Sequence, residues 1–513
     1  MDSLRPTGET GSPAGGSPPY GAAVLAGLAV FALYALTLAP TTAFWDASEY
    51  IATAHILGIP HPPGNPLFVA LGRVWILLLS PLPLSVAQRV NLLAAATSAG
   101  AFAFFFLVAH RLLLAAVKER ARALAGAAAA VLIGATAYTV WSQSNVNEKV
   151  YTVSLFVIAA VSWLGLRWLD RREDEGSLRY LLGAAYLMVL GSTNHLMSLL
   201  PAPALAILVL LADPGVLGRR AFWSRGAAVV AVGLSFNFFL PIRAAEEPVI
   251  NEGEPRCGSA VGAAVAVYTM GRAGCPALAA NLTREQYQKP PLSERQAPFG
   301  HQLRNWYQYF DWQWARGADP SPRPGSGRLP FTVVFGALGL MGFWVAWRTD
   351  RLALAYLGAL ALTLTVALVY YLNFRYGYSL APEITEPGAH EVRERDYFFI
   401  AGFALWGVMA GVGLAVVWST VSDRLGGARG TWIAAPILAV ALVPLALNWL
   451  WADRSGEYAS RDWAYDLLMS VEPYGVLFTN GDNDTFPLWY LQEVEGVRRD
   501  VTVVVGQYLY TSW

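Results

Sequence analysis

Apolar stretches long enough to cross a bilayer recur along most of the chain. A helix needs roughly 20 apolar residues to cross a hydrocarbon core of about 30 Å. About eleven stretches meet this requirement, near residues 20–39, 86–117, 123–141, 150–169, 179–193, 195–212, 222–241, 330–347, 352–373, 397–418 and 431–451. The pattern predicts an all-α polytopic membrane protein with about eleven transmembrane helices.

A shorter apolar stretch at 66–79 is left out of this count. It follows the sequence HPPGNP and carries Arg73 near its middle, which is typical of a helix that lies in the membrane interface. With a cytoplasmic N-terminus, the short arginine-rich loops then all fall on the inner side, as the positive-inside rule requires. The C-terminus and the long loops fall on the outer face, and these loops are 40–85, 242–329 and 374–396. We therefore expect a multi-pass protein of the inner or plasma membrane.

The two ends of the chain differ from the part between them. Residues 1–19 are rich in Gly, Pro, Ser and Thr and predict a disordered cytoplasmic tail. Residues 20–451 form the predicted membrane domain. In 452–513, a strand-like, a helix-like and a second strand-like segment follow one another. This order predicts the start of a soluble α/β segment on the outer face, and its end among apolar residues leads us to expect a fragment of a longer protein.

Composition and charge narrow the class of protein further. Hydrophobic residues make up 55% of the chain and charged residues 14%, which excludes a soluble globular protein. The 36 basic and 36 acidic residues leave no basic surplus for nucleic acid. The two cysteines, Cys257 and Cys275, form no metal-binding motif. Because both lie in one outer loop, in an oxidising compartment, a disulfide between them is predicted.

The sequence FWDASEY at 44–50 holds the strongest candidate for chemistry. Asp46 and Glu49 are three residues apart, so a helix that begins here places both carboxylates on one face. A carboxylate near an apolar surface can serve as a general base. The same spacing also fits a capping box, which it slightly favours, and both roles are compatible. His61 opens the rigid HPPGNP turn as a catalytic residue or a hydrogen-bonded structural one.

Further polar residues lie where predicted spans leave the membrane. Glu148 is a functional candidate by its position, or it forms a local pair with Lys149 in a solvated loop. Asn194 and His195 bind a headgroup or, as we favour, cap two helix ends. The acidic sequence NGDND at 480–484 can bind a cation or form a plain turn, and the spacing favours the turn.

Three outer-face arginines, Arg243, Arg393 and Arg395, suit a lipid-linked phosphate. A guanidinium group can bind two phosphate oxygens at once. The alternatives are contact with ordinary lipid headgroups or pairing with the acids of the 374–396 loop.

Seven motifs in this order resemble the GT-C superfamily of membrane glycosyltransferases, and within it the family catalogued as domain of unknown function 2723. The motifs are DASE at 46–49, HPPGNPL at 61–67, Glu148 with Tyr151, Asn194 with His195, LPIR at 240–243, RERDY at 393–397 and NGDNDTFPLW at 480–489. The resemblance implies a GT-C-like helical bundle with outer-face interfacial helices, in which Asp46 acts as base or orients the acceptor and outer arginines hold the donor phosphate.

Together these features predict a glycosyltransferase that moves a sugar, with mannose as the candidate, from a polyprenyl-phosphate carrier to a Ser or Thr hydroxyl of an exported protein. Asp46 would take the hydroxyl proton, with Glu49 or His61 as orienting residue. Apart from membrane lipid and this donor, the scheme needs no cofactor, although a divalent metal is not excluded. The alternatives are a glycan or lipid acceptor, or a transporter or flippase, whose polar sites would lie near the membrane midplane.

Overall fold

The computed structural model describes residues 17–117, 119–287, 290–386 and 388–511. The predicted disordered tail, 1–19, lies outside these ranges apart from its last three residues. The helices of the N-terminal half are α1 Tyr20–Leu36, α2 Ala47–Ile56, α3 Pro66–Leu78, α4 Val86–Val117, α5 Arg120–Thr136, α6 Tyr138–Ser144, α7 Tyr151–Arg171, α8 Leu178–Ser192, α9 Ala202–Ala212, α10 Arg220–Leu234 and α11 Phe239–Ala245.

The helices and strands of the C-terminal half follow, and they include the two β-strands found among the described residues. They are α12 Ala260–Tyr268, α13 Pro276–Thr283, α14 Phe299–Ala315, α15 Leu329–Thr349, α16 Arg351–Leu362, α17 Leu368–Leu372, α18 Ile400–Arg424, α19 Gly427–Ala434, α20 Leu442–Ala452, α21 Ala459–Met469, β1 Val476–Thr479, α22 Asp482–Tyr490 and β2 Thr502–Val505.

The all-α polytopic class is confirmed, with fewer full-length spans than the apolar stretches predict. Within the described residues, seven helices are long and apolar enough to cross a membrane, and α5 with α6, bent by 73°, makes up to eight. The other three of the predicted spans form shorter apolar helices, and these are Tyr20–Leu36, Leu178–Ser192 and Leu196–Ala212. At 1.5 Å per residue, a 17-residue helix such as α1 is shorter than a hydrocarbon core of about 30 Å.

Close packing of α18 against α5 forms the centre of the bundle. Gly407 lies against Gly134, and a Cβ atom at Gly411 would overlap Ala130. Small residues allow two backbones to approach closely in a membrane protein, where helix association relies on packing. Of the residues that α18 contributes to this core, Phe403 and Met409 are almost completely buried.

Polar contacts join helix ends at both ends of the bundle. At one end, Arg111 of α4 donates to Asp170 of α7 at 2.6 Å and to Asp350, just before α16, at 2.8 Å. At the other end, Asn91 of α4 donates to Ala39 O at 2.9 Å and accepts from the backbone N–H of Asn147, also at 2.9 Å. Helix ends that the charge pattern assigns to one side therefore do meet.

The part of the predicted outer loop 242–329 that contains α12 and α13 folds as a lobe that packs on the first outer loop, whereas α14 packs on α20 in the main bundle. Cys257 and Cys275 are joined in a disulfide, with their Cα atoms 5.4 Å apart, and the bond ties the start of α12 to the start of α13. Buried residues of the lobe pack on Ile59. The backbone N–H of Glu252 donates to Ile59 O at 3.0 Å, which anchors the lobe beside the HPPGNP turn.

The tail contains the predicted strand–helix–strand order. β1 and β2 pair in parallel, with Val476 opposite Thr502, and α22 forms the crossover between them. A parallel pair requires such a crossover because its strands run in the same direction. α22 packs against α2, so the tail lies against the first outer loop.

The side of the membrane on which each loop lies stays a prediction, and exposed positions allow its test. Glu175→Cys and Leu425→Cys should react with a membrane-impermeant maleimide only after the cytoplasmic side is opened. Ser293→Cys and Ser455→Cys should react in sealed right-side-out vesicles, because all four residues are exposed but arginine-rich loops stay inside. The unsubstituted chain is the control, and labelling of Ser293→Cys from the cytoplasmic side alone would contradict the topology.

Candidate active site

Asp46 faces a lysine and is not a helix cap. It directly precedes α2, but among the described residues its side chain makes no capping hydrogen bond. Its carboxylate forms an ion pair with Lys149, and Oδ2 lies 3.9 Å from His61 Nε2. Burial alone would raise the pKa of Asp46, but the positive charges of Lys149 and His61 outweigh this effect and lower it. The capping-box interpretation, which the spacing favoured, is therefore wrong.

Glu49 holds His61 in place. Its Oε1 accepts from the backbone N–H of His61 at 2.6 Å, and its Oε2 lies 2.6 Å from His61 Nδ1. These contacts occupy Nδ1 of the imidazole, so Nε2 faces Asp46 and Tyr50. The Tyr50 hydroxyl lies 3.4 Å from Nε2. Glu49 fails to cap α2 because His61 is its partner instead. The arrangement suits an orienting role for both residues.

A third buried acid, Glu252 of the disulfide-bonded lobe, is hydrogen-bonded to Glu49. Burial, followed by the charge of Glu49, raises the pKa of Glu252 well above its usual value. Burial likewise raises the pKa of Glu49, to about 8. Two carboxyl groups share a hydrogen bond only if at least one of them is protonated, and the raised pKa values of both acids agree with this condition. The sequence analysis did not find Glu252, which lies far from Glu49 along the chain.

Glu148 and Lys149 have separate partners, so the local pair considered from the sequence does not form. Glu148 forms ion pairs with Arg393 and, at 3.6 Å, with Arg454. Burial alone would raise the pKa of Glu148, but Arg393 and Arg454 outweigh it and lower the pKa. The two adjacent residues therefore tie the first outer loop, the 374–396 loop and the start of the tail together.

Arg393 is the predicted phosphate ligand that lies in this cluster. Its guanidinium carbon is 4.4 Å from the ring centre of Trp45 and 4.6 Å from that of Tyr397. Nη2 donates to Glu148, whereas Nη1 is buried and has no hydrogen-bond partner among the described residues. A buried guanidinium nitrogen without a partner is costly, and a phosphate oxygen would satisfy it.

The other two arginines have protein partners, Arg395 at the edge of the cluster and Arg243 away from it. Arg395 donates to Glu391 at 2.9 Å and to Tyr397 Oη at 2.8 Å. Arg243 donates to Leu57 O at 2.8 Å, at the C-terminal end of α2. Asp46 precedes the other end of this ten-residue helix, a separation of about 15 Å. Arg243 and Arg393 therefore do not face one phosphate beside Asp46, as joint donor binding would require.

Asn194 and His195 have structural roles beneath the cluster. His195 Nδ1 accepts from the backbone N–H of Met197 at 3.2 Å and so caps one short helix, Leu196–Leu199. The side-chain amide of Asn194 donates to Val150 O at 2.9 Å. The backbone carbonyl of Asn194 accepts from the side chain of Asn65 in the HPPGNP turn. These contacts support the loop that carries Lys149.

The tail reaches the cluster through the NGDND sequence. Asn483 Oδ1 accepts from the backbone N–H of Trp45 at 2.6 Å. An open cleft of about 540 Å³ lies between the two segments, and its lining residues are Phe44, Trp45, Trp463, Asn480, Gly481, Asp482, Asn483 and Asp484. From its sequence, NGDND was predicted to form a plain turn rather than a cation site. Only its match to a motif of the resembling family pointed to a role in the site.

Within the described ranges, no three His, Cys, Asp or Glu side chains converge in the manner of metal ligands. The predicted independence of metal and cofactor stays a prediction.

Two segments match family models. Residues 46–215 match the model described as the Protein O-mannosyl-transferase TMEM260 N-terminal domain. Residues 460–513 match the TMEM260-associated domain 2. The first match begins at Asp46 and includes Glu49, His61 and Glu148, and the second includes the NGDND sequence.

Similar proteins cover short segments in sequence and almost the whole chain in structure. The mouse (Mus musculus) protein O-mannosyl-transferase TMEM260 is 43% identical over 110 residues, which are 20% of this chain and 15% of the mouse protein. The Dictyostelium discoideum protein of the same description is 33% identical over 78 residues, 15% of this chain and 10% of that protein.

The solved structures of ArnT from Cupriavidus metallidurans share the fold. The structure bound to undecaprenyl phosphate has a TM-score of 0.52 and 13% identity, over 96% of this chain and 91% of that one. The apo structure has a TM-score of 0.53 and 13% identity, over 95% and 86%. The chain shares the membrane fold of ArnT and resembles the TMEM260 O-mannosyl-transferases in sequence over short segments.

Proposed function

We propose that this chain is a membrane glycosyltransferase that transfers mannose from a polyprenyl-phosphate carrier to a Ser or Thr hydroxyl of an exported protein. One observation carries the proposal: Lys149 forms an ion pair with Asp46 and contacts the same Tyr397 ring as Arg393, whose guanidinium has an unsatisfied nitrogen. The name O-mannosyl-transferase of the relatives supports the sugar and the protein acceptor. The undecaprenyl phosphate of ArnT supports a polyprenyl donor.

The chemistry is a single displacement at the anomeric carbon. The acceptor hydroxyl oxygen attacks this carbon, and the bond between the carbon and the phosphate oxygen breaks. Asp46 takes the hydroxyl proton, and the polyprenyl phosphate leaves with the electron pair of the broken bond. Because the phosphate is a good leaving group, alignment and a modest base are sufficient. The lowered pKa of Asp46 keeps it ionised at neutral pH, and it also makes the carboxylate a weaker base.

Lys149 links the two halves of this step. Its ammonium group pairs with Asp46 and lies 5.4 Å from the ring centre of Tyr397, which also contacts Arg393. When Asp46 accepts the proton, Lys149 loses its counter-charge. Its positive charge then favours the negative charge that grows on the departing phosphate. Glu49 acts through His61, whose Nε2 faces Asp46, as an orienting group.

The proposed function predicts a defined loss in cells that lack the gene. Mannosylated Ser and Thr peptides of exported proteins should disappear, whereas envelope glycans should remain. Quantitative glycoproteomics beside glycan analysis measures both. With purified chain, polyprenyl-phosphate mannose and acceptor, release of polyprenyl phosphate should depend on the acceptor. Loss of envelope glycans alone would favour the glycan acceptor, and no release under any condition would favour a transporter.

Asp46→Asn should lower mannose transfer by at least about 100-fold, the lower range for general base catalysis. The change keeps the shape of the side chain but removes the proton acceptor. Turnover per folded molecule is the measurement. Asp170→Asn is the matched control, because Asp170 is 15% and Asp46 14% exposed and each pairs with a cation. Equal turnover in the two variants would remove Asp46 from the chemistry.

Arg393→Gln and Arg243→Gln should separate two of the three predicted phosphate ligands. Arg393→Gln should raise the donor KM by about tenfold or more, as expected when a hydrogen bond to a charged group is lost. Arg243→Gln should leave the donor KM unchanged, because Arg243 lies at the far end of α2. Initial rates at varied donor concentration test this. The reverse order of effects would place the phosphate at Arg243.

A further inference from the structure

The open cleft beside Asp46 has one aromatic wall and one polar wall. Phe44 and Trp463 meet edge to face, with ring centres 6.0 Å apart, and Trp463 is 41% exposed. Opposite these rings lie residues 480–484 at the start of α22. The volume of about 540 Å³ is within the range of ligand sites in proteins.

Three of the four polar side chains in the turn 480–484 already have protein partners. Asp484 accepts from the backbone N–H groups of Asn480 and Gly481, each at 2.7 Å. Asn483 accepts from Trp45, and Asn480 Oδ1 accepts from Gln507 at 3.2 Å. Asp482 is exposed, and no hydrogen bond or ion pair joins it to another described residue. Its carboxylate is therefore the group of this turn that is available to a ligand.

Asp482 lies near the active site. It is the chain neighbour of Asn483, whose side chain accepts from the backbone N–H of Trp45, and Trp45 directly precedes Asp46. Partial covering by the surrounding protein, and then the negative charge of Asp46, raise the pKa of Asp482, while the charges of His61 and Lys149 act in the opposite direction. A molecule in the cleft that contacts Asp482 therefore lies near the carboxylate that takes the acceptor proton in the proposed function.

We propose that this cleft is the acceptor subsite, that it binds an extended polypeptide segment, and that Asp482 accepts a hydrogen bond from this segment beside the reacting hydroxyl. The proposal rests on the proposed function and names the substrate contacts of the same site. The cleft lies between the first outer loop and the tail. Its walls match a peptide, whose N–H groups donate to a carboxylate and whose side chains pack on aromatic rings.

Trp45 lies between this cleft and Arg393, the proposed ligand of the donor phosphate. The residue lines the cleft, and its ring also contacts the guanidinium of Arg393. Its φ of 65° is unusual for a bulky residue, and the hydrogen bond to Asn483 holds it there. The acceptor and the donor phosphate would thus approach Asp46 from the two sides of one indole ring.

Asp482→Asn and Trp463→Ala in the full chain test the subsite. The acceptor is a synthetic peptide with the sequence of a segment that glycoproteomics finds mannosylated, and peptide and polyprenyl-phosphate mannose are varied separately. We expect each change to raise the peptide KM by about tenfold or more, because a hydrogen bond to a charged group or a buried ring contact is lost. The donor KM should stay unchanged, and Trp463→Phe should restore part of the peptide affinity.

Matched variants lie in the same tail outside the cleft. Glu472→Gln removes an exposed acid and Tyr474→Ala removes a ring that is 85% exposed, and both should behave as the parent. If peptide KM is unchanged in Asp482→Asn and Trp463→Ala while the parent transfers mannose, the subsite is wrong and the proposed function stands. If the parent mannosylates no peptide, both proposals fail. If the two changes weaken only a glycan acceptor, the peptide occupant is wrong.

Discussion

The ion pair between Asp46 and Lys149 is the contact on which the arrangement of the site depends. A carboxylate and an ammonium group lose much hydration when they are buried, and they recover it only through each other and through further hydrogen bonds. Here Lys149 follows Glu148, and the two side chains pair with groups from different parts of the chain. One dipeptide therefore brings together three segments that are remote in sequence, and it balances the charge of Asp46.

At this end of the bundle, amide side chains also provide hydrogen-bond partners for polar backbone groups. A backbone group near the hydrocarbon region needs a partner, because no water is available there. Asn91 and Asn145 each donate to carbonyl oxygens of neighbouring segments, and Asn448 joins the carbonyls of Thr136 and Gln313. These amide side chains satisfy the ends of the bent α5–α6 pair and of the chain leaving α1. The candidate site thus lies on a layer of satisfied backbone and gains rigidity from it.

Sequence periodicity was sufficient for the helical class and for the order of elements in the tail, because these depend on local patterns. The sequence also predicted correctly that Asp46, Glu49 and His61 lie close together, because a short helix and a rigid turn connect them. It could not predict that His61 would take Glu49 away from the helix cap, because the competition depends on three-dimensional distance. Glu252 and Asn483 were missed as site residues for the same reason. Arg243 and Arg393 look equivalent as outer-face arginines, and only the length of α2 separates them.

The backbone conformation of Trp45 has a consequence for how this chain can be divided. Composition draws a boundary near residue 452 between membrane and tail, yet the tail side chain of Asn483 holds Trp45 at a positive φ. A residue in such a conformation costs about 1–3 kcal/mol unless its surroundings impose it. Without the tail, Trp45 would relax and the ring over Arg393 would move with it. The two regions are consequently not interchangeable modules, and a membrane region joined to a foreign tail would inherit the residues of the site but lose their alignment.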